Sequence, residues 1–90
     1  MNIHDSTIEY LNKILNKHQQ MQKDIKNIQS MRYRKIGLYQ IETTDEYRKE
    51  MCKRTMKTYN AECSKIYDIL NQERQNKGFS ELLNPFTKGI

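Results

Sequence analysis

Apolar and small polar residues recur along the first third of this chain at alternating steps of four and three positions. This stripe consists of Thr7, Leu11, Ile14, His18, Met21, Ile25 and Ile28. A second stripe with the same spacing consists of Cys52, Met56, Tyr59, Cys63, Ile66 and Leu70. Such spacing places each stripe on one side of a helix and is typical of coiled-coil packing.

The two stripes match each other as an antiparallel pair. The position numbers of facing residues add up to a constant 77, as they do for Ile14 with Cys63. A register shifted by a whole heptad matches as well, so the spacing supports a hairpin without fixing its register. The midpoint falls next to Gly37, which favours a turn there over a single long helix that dimerises in parallel. We therefore predict an all-α fold, an antiparallel and coiled-coil-like helical hairpin that forms a single small helical domain over residues 1–90.

Capping signals set the expected boundaries of the helices. Ser6 with Glu9, and Thr43 with Glu46, have the spacing of a capping box, in which a hydroxyl and a carboxylate satisfy first-turn amides. The predicted elements are a helix over 6–35, a turn over 36–42, a helix over 43–77 and a tail over 78–90.

The tail is apolar and has helical spacing. Its apolar residues are Phe79, Leu82, Leu83 and Phe86. We expect it to remain a short apolar tail or to fold back as a third short helix on the open end of the hairpin, the end away from the turn. A partner subunit or a second copy of the chain is the alternative cover for that end.

The predicted seam is a weak core, because it contains a histidine, a threonine and two cysteines, and small helical proteins usually need additional packing. Apolar residues beside the seam are available to bind a partner. The predicted partner-binding residues are Ile8, Leu15, Tyr67, Ile69, Phe79, Leu82, Leu83 and Phe86. The sequence therefore favours a non-catalytic helical protein–protein interaction module, a small subunit or adaptor of a larger assembly, which binds a protein partner or itself by helix packing.

Basic residues cluster around the predicted turn and suggest an alternative. The candidate contacts to phosphates or to an acidic partner are Arg32, Arg34, Lys35, Arg48, Lys49, Lys53 and Arg54. Together with Tyr33 and Tyr39 they could bind nucleic acid or a nucleoprotein. Acidic residues such as Glu42 and Glu46 lie among these cations and reduce the positive electrostatic potential. The excess of lysine is in part an effect of genome composition, because lysine, asparagine, isoleucine and tyrosine all have AT-rich codons. Nucleic-acid binding is therefore the less favoured hypothesis.

The sequence contains no recognisable catalytic or metal-binding motif. Cys52 and Cys63 are eleven residues apart on one helix, about 16 Å along its axis, too far to bridge or to share a metal. We interpret them as buried free thiols and His18 as a seam residue hydrogen-bonded to Tyr59. We accordingly expect no enzymatic activity, no cofactor, no metal and no small-molecule substrate.

The chain has a net charge of +5, and 36% of its residues are apolar. Its sequence contains no run of about 20 apolar residues that could cross a bilayer. The N-terminus also lacks the pattern of a secretory signal. We expect an intracellular protein, cytoplasmic or nuclear, with no membrane insertion. A small viral or phage inhibitor that docks on a host enzyme fits the same features as a complex subunit does.

Asn84-Pro85-Phe86 resembles the Asn-Pro-Phe tripeptide that EH domains of endocytic adaptors bind as a tight turn in an apolar pocket. The resemblance covers three residues and implies a recognition motif. The alternative is a chain-terminating turn at Pro85 with Phe86 packed on the hairpin, and we favour this interpretation.

Overall fold

Two long helices joined by a β-hairpin make up the protein. The computed structural model describes residues 6–86. The elements in chain order are α1 (Thr7–Gln29), β1 (Tyr33–Ile36), β2 (Tyr39–Glu42) and α2 (Asp45–Asn76). The helices pack against each other, and a tail without regular secondary structure follows α2.

The predicted all-α fold is therefore wrong, because the connection between the helices is a two-stranded antiparallel sheet. The helix expected over 6–35 ends at Gln29, and the turn expected over 36–42 is the loop and second strand of a hairpin. Gly37 has a φ of 60° and Leu38 does not have a positive φ, as a two-residue type II′ loop requires. β-branched and aromatic residues on both sides of this loop favour strands over a continued helix.

Polar contacts at the base of the hairpin join the segment that follows α1 to the start of α2. The backbone N–H of Thr43 donates to the carbonyl of Arg32 at 2.9 Å, and the Thr43 hydroxyl donates to the carbonyl of Met31 at 2.7 Å. The guanidinium of Arg48, on the first turn of α2, donates to the same Met31 carbonyl at 2.9 Å and to the Thr43 hydroxyl at 2.6 Å. We call this cluster of Met31, Thr43 and Arg48 the polar knot.

The N-cap of α2 lies one residue later than predicted. Its C-terminus is followed by a glycine, as predicted. Thr44, not Thr43, caps the helix, since its hydroxyl accepts from the N–H of Tyr47. At the other end Gly78 has a φ of 83°, and the N–H of Phe79 donates to the carbonyl of Arg74. This is the Schellman pattern of helix termination.

The seam between the helices follows the predicted stripes, although few of its positions are fully buried. The buried residues of the two helices are Thr7, Ile14 and Met21 on α1 and Cys52, Cys63 and Leu70 on α2. The Cys63 thiol lies 3.9 Å from the carbonyl of Ile14, its predicted facing residue. Other stripe residues are half-buried, and Met56 is 39% exposed. The core is therefore a thin line of side chains.

The tail folds back along α2 without regular secondary structure, so the third short helix is not formed within residues 78–86. The amide side chain of Asn71 donates to the carbonyl of Leu82 at 2.9 Å and accepts from its N–H at 2.8 Å. Further along, the Asn84 side chain donates to the Ser64 hydroxyl at 3.1 Å. Polar side chains of α2 thus hold the backbone of the tail against the helix.

Candidate interaction surfaces

The β-hairpin, residues 33–42, forms an arm that projects beyond the helices. The 32 residues of α2 account for about 48 Å at about 1.5 Å each. Four strand residues at about 3.3 Å each add about 13 Å. The two lengths together match the 60 Å long dimension of the molecule, so the arm continues the long axis rather than lying on the helices.

The arm carries a high density of exposed apolar side chains. They are Tyr33, Ile36, Leu38, Tyr39 and Ile41, with Leu38 fully exposed at the tip. Alternation along the strands places Ile36, Tyr39 and Ile41 on one face, together with Arg34. Because these apolar side chains are not buried, they contribute little to the stability of the single chain. A sheet of only two short strands is also marginally stable by itself.

Arg34 attaches this face to α2. Its guanidinium lies over the ring of Tyr47, 4.0 Å from the ring centre. The buried Nε of Arg34 has no hydrogen-bond partner among residues 6–86, so the ring face holds the side chain. The arm is therefore anchored at its base by Arg34 and the polar knot, whereas its outer half extends away from the helices.

The predicted basic patch divides into cations that hold the fold and cations that face solvent. Arg48 belongs to the polar knot and also pairs with Asp45, and the hydrogen bond from Arg48 lowers the pKa of the Asp45 carboxyl. Arg34 stacks on Tyr47, and Arg54 pairs with Glu50 at 3.4 Å. Five cations of the predicted set are exposed: Arg32, Lys35, Lys49, Lys53 and Arg54, which is 72% exposed although it pairs with Glu50. The patch offers fewer available charges than the sequence suggested.

The predicted partner-binding residues at the open end also divide into two groups. Exposed residues are Ile8, Leu15, Ile69 and Leu83, and Phe79 is 38% exposed. The half-buried residues are Tyr67, Leu82 and Phe86. The ring of Phe86 lies 5.9 Å from that of Tyr67, and the backbone N–H of Phe86 donates to the side chain of Asn84. The Asn84-Pro85-Phe86 tripeptide is thus packed as a turn against α2.

Glu73 links the two helices at this end. Its carboxylate accepts from the Ser6 hydroxyl at 2.8 Å and from the Tyr10 hydroxyl at 3.1 Å. These hydrogen bonds lower the pKa of Glu73 and raise that of Tyr10. The predicted capping box at Ser6 is wrong, because the Ser6 side chain makes no cap hydrogen bond and turns to Glu73 instead. Glu73, on the other helix, is a charged acceptor, and a hydrogen bond to a charged acceptor is stronger than one between neutral groups.

The hydroxyl of Tyr59 and the thiols of Cys52 and Cys63 have defined surroundings in the described part of the chain. The predicted hydrogen bond of Tyr59 to His18 is wrong, since Tyr59 donates to Asp24 at 2.7 Å and lowers the pKa of that carboxyl. Cys52 and Cys63 are buried free thiols, and burial raises the pKa of Cys63. Among residues 6–86, no group of three or more potential ligands is close enough to hold a metal ion.

An open groove of about 630 Å³ lies between the end of α1 and the first turns of α2. Gln29, Arg48 and Lys53 form part of its rim, and Cys52 and Met56 contribute apolar atoms to its lining. The groove adds a shallow apolar depression close to the base of the arm.

Sequence reasoning missed the arm residues Ile36, Leu38, Tyr39 and Ile41 as a surface. A signal was present, because two runs rich in β-branched and aromatic residues flank the dipeptide Gly37-Leu38. Two such runs separated by a Gly-X pair predict a hairpin with a type II′ loop. Because residues 36–42 were predicted to form a simple turn, no exposed apolar surface was predicted there.

Neither helix within residues 6–86 has an apolar stretch long enough to pass through a bilayer. No protein-family model matches the sequence, and comparisons with curated proteins and with solved structures found no match.

Proposed function

We propose that this protein is a non-catalytic protein–protein interaction module, a small subunit or adaptor that binds through its uncovered apolar side chains. One observation carries the proposal. Eleven large apolar side chains are exposed within residues 6–86, whereas only five apolar residues are buried there. Large apolar side chains that stay exposed gain stability when a partner covers them.

Ten of these eleven side chains lie at the two ends of the molecule, and Met56 lies between them. The arm contributes five of the eleven, and the open end contributes Ile8, Leu15, Ile69, Phe79 and Leu83. Ile8 and Leu15 are seven residues apart and share one face of α1, which suits helix packing against a partner. An adaptor with one surface at each end of a 60 Å rod could hold two components apart at a fixed distance.

The test compares two acidic substitutions that are adjacent in sequence. Leu15→Asp places a charge in the exposed apolar face of α1, and Asn16→Asp places the same charge on the exposed position beside it. Tagged full-length chains capture partners from native extract, followed by mass spectrometry. We expect the wild type and Asn16→Asp to recover the same stoichiometric partner and Leu15→Asp to lose it. Equal recovery by all three would contradict binding through this face.

The identity of the recovered partner separates a complex subunit from an inhibitor. One stoichiometric large assembly favours the subunit, and a single enzyme favours a docking inhibitor. Nucleic-acid binding has less support, because Arg34 and Arg48 are engaged within the fold. Tight binding to DNA or RNA that weakens steeply with salt would reverse this preference.

A further inference from the structure

The outer edges of the arm have unpaired backbone groups in a defined order. The bond from Thr43 N–H to the Arg32 carbonyl makes these two residues a hydrogen-bonded pair, and hydrogen-bonded pairs alternate along an antiparallel ladder. Pairs 34/41 and 36/39 therefore direct their backbone groups inward, towards each other. The backbone N–H and C=O groups of residues 33 and 35 on β1, and of residues 40 and 42 on β2, point outward. Each edge can accept another strand.

The shape of the molecule excludes any pairing in which two arms point the same way. Neighbouring hairpins in one sheet are two strand spacings apart, about 9.6 Å. The narrowest dimension of the protein is 20 Å, so two helix bodies at the same end of such a sheet would overlap. Arms can join edge to edge only when they point in opposite directions and the helix bodies lie at opposite ends.

Charge then distinguishes the two edges. Every antiparallel register of β1 with a second β1 places two cations directly opposite each other: Lys35 with Lys35, Arg34 with Arg34, or Arg34 with Arg32. Like charges in facing positions destabilise a strand pair, and cations are a common protection of sheet edges. The β1 edge is thus blocked against its own copy, whereas β2 has no cation and a single acid, Glu42.

The β2 edge is complementary to itself. In an antiparallel register centred on Gln40, the outward backbone groups of Gln40 face those of Gln40 in the second copy. Tyr39 then lies opposite Ile41 of the second copy on both sides of the axis, an aromatic and β-branched pair of the kind that stabilises sheets. Pairing β2 with β1 of another copy in opposite orientation would be parallel, a less stable ladder that leaves open edges and grows into chains.

We propose that the β2 edge of the arm pairs with the β2 edge of a second copy of this chain, in an antiparallel register centred on Gln40. The result is a four-stranded sheet with a two-fold axis and a helix body at each end. This inference rests on the proposed function, since it names the partner of one of the two uncovered surfaces. The open end stays available for another protein.

The pairing is short, so the dimer is expected to be weak. Four-residue strands cover much less than the roughly 1,200 Å² at which specific interfaces become stable, and we expect a Kd of about 0.1 to 1 mM for the isolated chain. Sedimentation equilibrium of the full chain up to about 1 mM should therefore show exchange between a 10.9 kDa monomer and its dimer.

A charge exchange at one position tests the register. Gln40→Lys and Gln40→Glu each place like charges opposite each other on the axis. Lys35 is the cross-strand neighbour of position 40 in the same hairpin, so Gln40→Lys should weaken dimerisation about fivefold and Gln40→Glu by less. An equal mixture of the two variants should recover dimerisation at least to the wild-type level, because the introduced ammonium of one chain then faces the introduced carboxylate of the other. Recovery in the mixture also shows that both variants fold. Lys35→Glu, on the blocked edge, is the matched control and should leave the Kd unchanged.

Three outcomes would overturn the proposal. The first is a wild type that stays monomeric at about 1 mM, the upper limit of the expected range. The second is the formation of species larger than a dimer, which would indicate pairing of β2 with β1. The third is tighter dimerisation by Gln40→Lys alone, which would indicate a register that places residue 40 opposite Glu42. None of these outcomes affects the comparison of Leu15→Asp with Asn16→Asp, so failure of the dimer and failure of the proposed function are distinguishable.

Discussion

Removing the hydroxyl of Thr43 should destabilise the protein more than its position in a short connection suggests. Thr43 is 7% exposed, and its hydroxyl is the centre of the polar knot, donating to Met31 and accepting from Arg48. Thr43→Val keeps the β-branched shape and removes both hydrogen bonds. The substitution therefore measures how strongly the knot holds the arm to the helices.

The expected cost follows from the two bonds. A neutral hydrogen bond contributes about 1 kcal/mol and one to a charged group about 1.5 to 3 kcal/mol. The Met31 carbonyl still accepts from Arg48 after the change, so neither remaining group is left without a partner. We expect a loss of about 2 kcal/mol from a total free energy of unfolding of about 5 to 13 kcal/mol. Urea unfolding followed by circular dichroism in the far ultraviolet measures this difference.

Thr44→Val is the matched control, since it makes the same change one residue later. It removes the N-cap of α2, which should cost about 1 kcal/mol. A double-mutant cycle of Thr43→Val with Arg48→Met should show coupling of about 1 kcal/mol, because the two side chains share a bond. If Thr43→Val costs less than Thr44→Val, or the cycle shows no coupling, the knot does not contribute as argued.

Three further predictions concern the seam, the open end and the tail. Leu70 is fully buried and Met56 is 39% exposed, so Leu70→Ala should cost about 3 kcal/mol and Met56→Ala less than about 1 kcal/mol in the same urea assay. Because the folded pKa of Glu73 is lowered, its contribution to stability is present above its unfolded pKa and lost as pH falls through the folded value. Glu73→Gln should reduce that acid dependence in a series of melts below about pH 5. Phe86→Ala removes the ring contact with Tyr67 and should speed proteolysis of the tail while leaving helicity unchanged.

The helical part of the fold was predictable because its signals are local and periodic. The spacing of the stripes left the register open by one heptad, and the contact of Cys63 with Ile14 agrees with the register in which facing positions add up to 77. The end of α2 follows from Gly78. The full burial of Leu70 opposite Thr7 fits the same register. Periodicity identifies a helix face, and two matching faces identify their pairing.

Side-chain choices between elements were not predictable from spacing. Ser6 had a local capping partner in Glu9 but turns to Glu73, and Tyr59 had a facing histidine but donates to Asp24. In both cases a hydroxyl pairs with a carboxylate on the other helix, a stronger bond than the local or neutral alternative. These choices depend on distances between helices that the stripe spacing does not specify.

The hairpin changes where the apolar residues of the connection lie. A tight turn between two helices would keep Ile36, Leu38 and Tyr39 near the helix ends, where the seam could bury them. The type II′ loop at Gly37 instead carries them beyond the end of α2, and they remain exposed. Burial of one such side chain is worth about 1.5 to 3 kcal/mol, which the monomer does not gain. The arm is therefore the part of the chain whose sequence is least explained by contacts within residues 6–86, and the proposed pairing of β2 would give it a structural role.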